Sequence, residues 1–285
     1  VCSVQPLWEG LDVAECFQHP YPCDTQCRLA CAAGIWCSSP MAQSSAMGIL
    51  VAETAWPEVD ARLRKGATAI LPVAAAAKQH GPHLPLATDW LQAEWLVERL
   101  LVNRDVVVWP TLGYGFYPAF TDYPGSISLS HDTFVAVVAE ILEGIRDAGA
   151  KRIAILNAGI STIEPIMEAL RRVSALPPLR SISIYAGARF AEVEAAVTDQ
   201  PWGGHADESE TSIMLAIAPQ KVDMDRATAA MTRVEQGPFN RTNPDGPNYS
   251  PNGVNGDPTR ASLEKGKQLL RAMLMDILEA LDAAG

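Results

Sequence analysis

No cysteine follows Cys37 in this chain of 285 residues. Disulfides are thereby excluded from the remainder, whose stability has to come from a buried apolar core. Long apolar runs are also lacking: none approaches the roughly 18–20 residues that a membrane span needs. Positive charge is in short supply, with 22 Lys and Arg against 33 Asp and Glu and a formal net charge of -11. That balance argues against nucleic acid or an anionic membrane as a partner. The sequence shows no internal repeats. Histidine is scarce, five in all, so the place of each one carries information.

The remaining composition, 48% hydrophobic and 19% charged, is that of a soluble globular protein. The cysteines are confined to one end: Cys2, Cys16, Cys23, Cys27, Cys31 and Cys37. Three readings of that segment stay open. Cys23, Cys27 and Cys31 suggest a disulfide or metal micro-domain, although their spacing fits no zinc-finger pattern. Leu29 to Cys37 is a short apolar run of the export-signal kind, but Asp12, Glu15 and Asp24 stand where a basic region belongs. The abrupt change in composition favours a third reading, in which Met41 or Met47 is the true start. The expected division is residues 1–46 as a cysteine-containing extension, non-native or disordered, and 47–285 as one α/β domain. A cysteine-free domain is expected in the cytoplasm.

After Met47 the pattern alternates. Pro57 to Lys65 reads as a helix with proline in its first turn. Thr68 to Val73 reads as a buried strand. Asp89 to Leu101 carries Leu91, Trp95, Leu96 and Leu100 at helical spacing, with Thr88 as N-cap. Asp105 to Trp109, Lys151 to Leu156 and Arg180 to Tyr185 are apolar enough for strands. Asp132 to Ala148, Ser161 to Val173, Glu208 to Ile217 and Leu263 to Ala283 read as helices. Gly237 to Asp257, rich in Pro, Gly and Asn, reads as a linker. Such alternation predicts a three-layer α/β/α fold with a mainly parallel sheet, whose ligands bind beyond the C-terminal strand ends.

Chemistry gathers at those ends. Lys78-Gln79-His80-Gly81-Pro82-His83-Leu84-Pro85-Leu86-Ala87-Thr88-Asp89 follows the first strand. Buried titratable groups are costly unless they bind something, and imidazole with carboxylate suits a zinc- or manganese-type ion. His205 follows Gly203-Gly204 and precedes Asp207, Glu208 and Glu210, a workable general acid-base unit or merely a carboxylate-rich first turn. Tyr114, Phe116, Tyr117, Phe120 and Tyr123 crowd one loop and suggest a substrate wall or an oligomer contact. Trp202 suggests a pocket wall. Asn157 to Thr162 offers a backbone anion site at a helix start, or plain N-caps in Ser161 and Thr162.

Three segments together resemble the creatininase (creatinine amidohydrolase) family. The first is Leu71-Pro72-Val73 with Gln79-His80-Gly81-Pro82-His83 and Asp89. The family has a Glu-Gln-His-Gly run there, with an aspartate nine residues beyond the histidine. Asn157-Ala158-Gly159 stands where it has Asn-Gly-His. Gly204 to Ser212 is close to its His-Ala-Gly-Glu-x-Glu-Thr-Ser. Tyr123-Pro124-Gly125 with Ser128-Leu129 looks like its Pro-Gly-Thr-x-Ser-Leu loop. The resemblance covers about residues 50 to 282.

It implies a creatininase-like fold and a homo-oligomer, hexameric in the family, that hydrolyses a small amide with two divalent metals and a proton-transferring histidine. Residue by residue, His80 matches a metal ligand, Asp89 the bridging aspartate, His205 the proton-transfer histidine and Glu210 the glutamate that follows it. Lys78, Gly159 and Ser161 stand where the family has three further ligands. The expectation is therefore an amidohydrolase with at most one divalent ion, zinc or manganese, held by His80, Asp89 and Glu210. His205 is the proton carrier, Glu208 or Glu210 orients it, and Lys78 replaces part of the lost charge and can stabilise an oxyanion. Trp202, Tyr123, Asn157 and Ser161 contact the substrate. Two alternatives stay open: a non-catalytic small-molecule binder, and metal-independent lyase or isomerase chemistry through Lys78.

Overall fold

The computed structural model describes residues 46–283 except 176 and 236; the expected N-terminal extension therefore lies almost entirely outside the described residues. A short strand β1 (Ile49–Leu50) leads into α1 (Trp56–Lys65), β2 (Thr68–Val73), α2 (Thr88–Asn103) and β3 (Val106–Val108). Then come α3 (His131–Asp147), β4 (Ile153–Asn157), α4 (Ile163–Arg172), β5 (Leu179–Ser183) and α5 (Ala188–Val197). The chain closes with α6 (Glu208–Ile217) and α7 (Leu263–Asp282). All strand pairs are parallel, in the order β1-β3-β2-β4-β5.

Parallel strands need helical crossovers, which cover both faces, so the strands are apolar on both sides. In β2 and β4 the alternation is explicit. Ala69, Leu71, Val73, Ile153 and Ile155 pack with Phe134, Val138 and Leu142 of α3 on one face. Ile70, Ala154 and Leu156 pack with Leu96 and Leu100 of α2 and with Met273 and Ile277 of α7 on the other. These two apolar layers make the three-layer sandwich.

Register positions the site. Val73 pairs with Asn157, and Asn157 with Ser183, so β2, β4 and β5 end level. The segments that follow them emerge on one rim. Thr88 does not cap α2: it lies inside the helix and its hydroxyl donates to the Pro85 carbonyl at 2.7 Å. Ser130 and Asp207 do cap α3 and α6, accepting from the backbone N–H of Thr133 and Glu210. Helix α5 and strand β1 were not expected from the sequence. The stretch read as a linker is instead a folded strap over the rim, where Phe239, together with Val234 just before the stretch, packs with Tyr117, Phe120 and Tyr123.

Candidate active site

At the end of β2 the chain turns at Gly81, whose φ of +68° suits glycine; a Cβ there would stand 2.8 Å from the His83 ring. The turn lays His80 inward, fully buried, with Asp89 arriving from the first turn of α2, equally buried. His80 Nδ1 lies 2.9 Å from the Lys78 carbonyl, which can only accept, so Nδ1 carries the proton. His80 Nε2 lies 2.9 Å from Asp89 Oδ1, and Lys78 Nζ lies 2.6 Å from Asp89 Oδ2. One carboxylate thus faces an imidazole on one oxygen and an ammonium on the other. Burial works to raise the Asp89 carboxyl, but Lys78 and His80 outweigh it and hold it below the ordinary carboxylate range.

His205 reaches the same place from the loop before α6. Its Nε2 donates to the Gln79 carbonyl at 2.8 Å, leaving Nδ1 as the ring nitrogen with a lone pair, 3.9 Å from Glu210 Oε2. Burial, reinforced by His80 and Lys78, pushes His205 well below the ordinary imidazole range. Glu210 is raised, chiefly by burial, and its Oε2 accepts the Ala206 N–H at 2.5 Å. Ala206 takes φ +50°, left-handed backbone that costs a non-glycine residue about 1–2 kcal/mol, held here between His205 and Asp207. The His205 ring stands 4.8 Å from His80, 4.2 Å from Phe120 and 5.5 Å from Phe239, centre to centre.

His80, His205 and Glu210 each present a ligand atom within 4.8 Å of the others, and Asp89 Oδ1 adjoins the first. The donor types here fit a divalent ion, since imidazole nitrogen and carboxylate are zinc- or manganese-type ligands. The carbonyl that fixes His80 Nδ1–H is the kind of outer contact that orients a ligating histidine.

Other expected residues have different tasks. Glu208 is fully buried, but its carboxylate accepts the N–H groups of Asp199 and Gln200 and pairs with Lys265 of α7. It is bound to the α6–α7 framework instead of orienting His205. Asn157 holds its own loop, accepting from Gly159 N–H and Thr162 hydroxyl and donating to the Gly159 carbonyl. Ser161 donates to the Phe116 carbonyl at 2.7 Å and Tyr123 to the Ser250 carbonyl at 2.5 Å. These three side chains pin loops in the observed structure. Trp202 is half-buried, and its indole N–H has no partner among the described residues. His83 donates or accepts at Thr211 Oγ1, 2.8 Å away, and burial, then His80, lower it to about 4.

Sequence reading missed the clamp on His205. Gln79 Nε2 donates to the Gly253 carbonyl and lies 3.0 Å from His205 Nε2, while Asn255 and His205 exchange backbone bonds. Both strap residues sit in the stretch taken for a linker, where no periodicity marks a contact.

An open parallel sheet with a buried histidine–carboxylate–lysine cluster at its C-terminal rim defines an α/β protein built around a small polar site. Similarity to known proteins specifies it further. The family model described as Creatininase: Creatinine amidohydrolase matches residues 52–281, so the chain belongs to the creatininase family. It is 27% identical over 260 residues to a creatinine amidohydrolase of Pseudomonas putida, covering 82% of this chain and 96% of that protein. It is 30% identical over 215 residues to a mycofactocin precursor peptide peptidase of Mycobacterium ulcerans, covering 70% and 79%. A solved structure described as "Creatininase Mn" superposes with a TM-score of 0.70 at 25% identity, covering 83% of this chain and 98% of that one.

Proposed function

We propose that the chain is a hydrolase that cleaves a C–N bond of a small linear or cyclic amide, with one divalent ion, zinc or manganese. The observation that carries this reading is the convergence of ligand atoms of His80, His205 and Glu210 within 4.8 Å of one another, with Asp89 Oδ1 2.9 Å from His80 Nε2. The amidohydrolase and the peptidase among the relatives support a hydrolytic reaction, and the manganese-titled structure supports a metal.

His80, Asp89 and Glu210 would hold the ion, which would supply Lewis acidity and acidify a water. A second ion lacks donors, since Lys78, Gly159 and Ser161 stand where the family motif has ligands. The Lys78 ammonium on Asp89 Oδ2 provides the second positive charge instead. His205 Nδ1 accepts a proton as the water oxygen adds to the amide carbon. The same nitrogen then returns it to the departing amine as the C–N bond breaks, leaving a carboxylic acid and an amine. Neutral His205 suits this, because the Gln79 carbonyl fixes its Nε2–H and leaves only Nδ1 to carry the proton. The Gln79 carbonyl, 2.8 Å from Nε2, takes the orienting task expected of Glu208 or Glu210. Lys78 Nζ is engaged by Asp89 Oδ2 at 2.6 Å, which argues against its use as a Schiff-base amine. Assembly into a homo-oligomer belongs to the same proposal, supported by exposed Tyr114, Ile127 and Ile160 on the rim loops; sedimentation of the full chain tests it.

The test of the reaction is amine release from a panel of cyclic and linear amides by zinc- or manganese-loaded protein. His205→Ala is expected to lower kcat by about 10²–10⁴-fold with ion content unchanged. Undiminished turnover in that variant refutes the assignment.

A further inference from the structure

Tyr117 lies in the loop after β3, 2% exposed, and its hydroxyl has no hydrogen-bond partner among the described residues. A buried hydroxyl left unpaired costs about 1–3 kcal/mol. Phenylalanine would fill the same space without that cost, so the oxygen calls for a partner that arrives from outside.

Its surroundings indicate which partner. The edge of the ring stands 3.4 Å from where a Cβ on Gly159 would be, so the tyrosine packs on the position where the family motif has a histidine. A Cβ on Gly115 would come within 2.7 Å of the hydroxyl oxygen, so that glycine leaves the oxygen its room. Lys78 Nζ sits 5.7 Å from the centre of the Tyr117 ring and 5.2 Å from that of Phe120. An ammonium has three N–H donors, and Asp89 takes one. Donors from two segments, one beyond β2 and one beyond β3, therefore lie close together near Asp89.

We infer that the Tyr117 hydroxyl and the Lys78 ammonium form an oxyanion site, which binds the carbonyl oxygen of the substrate amide and a carboxylate oxygen of the product. The site rests on the hydrolase reading for its use in a reaction, but anion binding tests it apart from turnover. The hydroxyl remains a donor throughout the working range, since burial and the Asp89 charge raise it far above the ordinary phenol value. Two fixed donors in a water-poor site do for the developing oxyanion what a second metal ion would otherwise do.

The test is acetate titrated into the ion-loaded full chain, followed by calorimetry and by tyrosine difference absorption in the near ultraviolet. Wild type is expected to bind acetate with a tyrosine signal. Tyr117→Phe is expected to lose the signal and to bind at least about tenfold more weakly, with ion content unchanged. Tyr114→Phe, an exposed tyrosine on the same loop, is expected to behave as wild type. Lys78→Met is a second variant, also expected to lose acetate affinity, and serves if Tyr117→Phe does not fold. Unaltered acetate affinity in these variants, a wild type that binds no acetate, or binding with no tyrosine signal each overturns the inference. Acetate binding that depends on Tyr117 without hydrolysis of any amide refutes only the hydrolase reading. Amide hydrolysis with full kcat in Tyr117→Phe refutes only the oxyanion site.

Discussion

Asp89 is the residue on which the site's electrostatics turn. It is fully buried and has two partners, the Lys78 ammonium on one oxygen and the His80 imidazole on the other. Removing one member of a buried pair strands the other charge, at a cost of about 3–5 kcal/mol. Asp89→Asn is expected to lose that much stability in urea unfolding of the metal-free protein. Lys78→Met combined with Asp89→Asn is expected to recover a large part of it, because an apolar side chain then occupies the place of the stranded ammonium. A double variant no more stable than Asp89→Asn would show that Lys78 is not the partner that counts. That His80 and Asp89 meet was legible from their nine-residue spacing read beside the family motif. The commitments of Glu208, Asn157, Ser161 and Tyr123 were not, because a hydrogen bond to a distant carbonyl or lysine leaves no trace in local sequence.

Among the elements, α6 and α7 show how close approach fixes the site's base. A Cβ on Gly266 of α7 would fall 1.9 Å from the Ser212 carbonyl oxygen of α6, and Ser212 Oγ also accepts the Ser262 N–H that starts α7. Gly266→Ala forces the helices apart and is expected to destabilise by about 2–3 kcal/mol, read as a lower urea midpoint. Gly144→Ala in α3 meets nothing within 4 Å and is expected to stabilise by about 0.5–1 kcal/mol. Equal effects at the two glycines would contradict the packing described. Strands β2 and β4 were readable as apolar runs and α7 as a long helix, read from Leu263 to Ala283. Strand β1 is two residues long and exists because Ile49 and Leu50 find register with Val107 and Val108, a tertiary effect. Helix α5, largely alanine and glutamate after an uncapped glycine, offers little stripe to read. The strap's Pro, Gly and Asn residues announce turns, but not that Phe239 and Gly253 dock on the His205 clamp.

The whole molecule carries two buried histidines, His83 and His205, as an acid liability. His83 titrates at about 4 in the fold against an ordinary value of 6.5. The unfolded chain therefore takes up the proton first as pH falls. Its contribution is complete above about pH 6.5 and declines toward pH 4, by about 3 kcal/mol for that one group. His205, also lowered, acts in the same direction. His83→Gln is expected to flatten the loss of unfolding free energy between those pH values, measured on metal-free protein; an unchanged slope would contradict it. At this scale the α/β architecture was legible because alternation and strand-end polarity are global patterns. No helix among the described residues is long and apolar enough to cross a membrane.

The number of ions bound per chain separates the alternatives most directly. Full-length protein stripped with chelator, reloaded with zinc or manganese and freed of excess should carry one ion per chain by elemental analysis. His80→Ala should carry none. Two ions on the wild type would mean that Lys78 does not stand in for a metal, and none would remove the metallohydrolase reading.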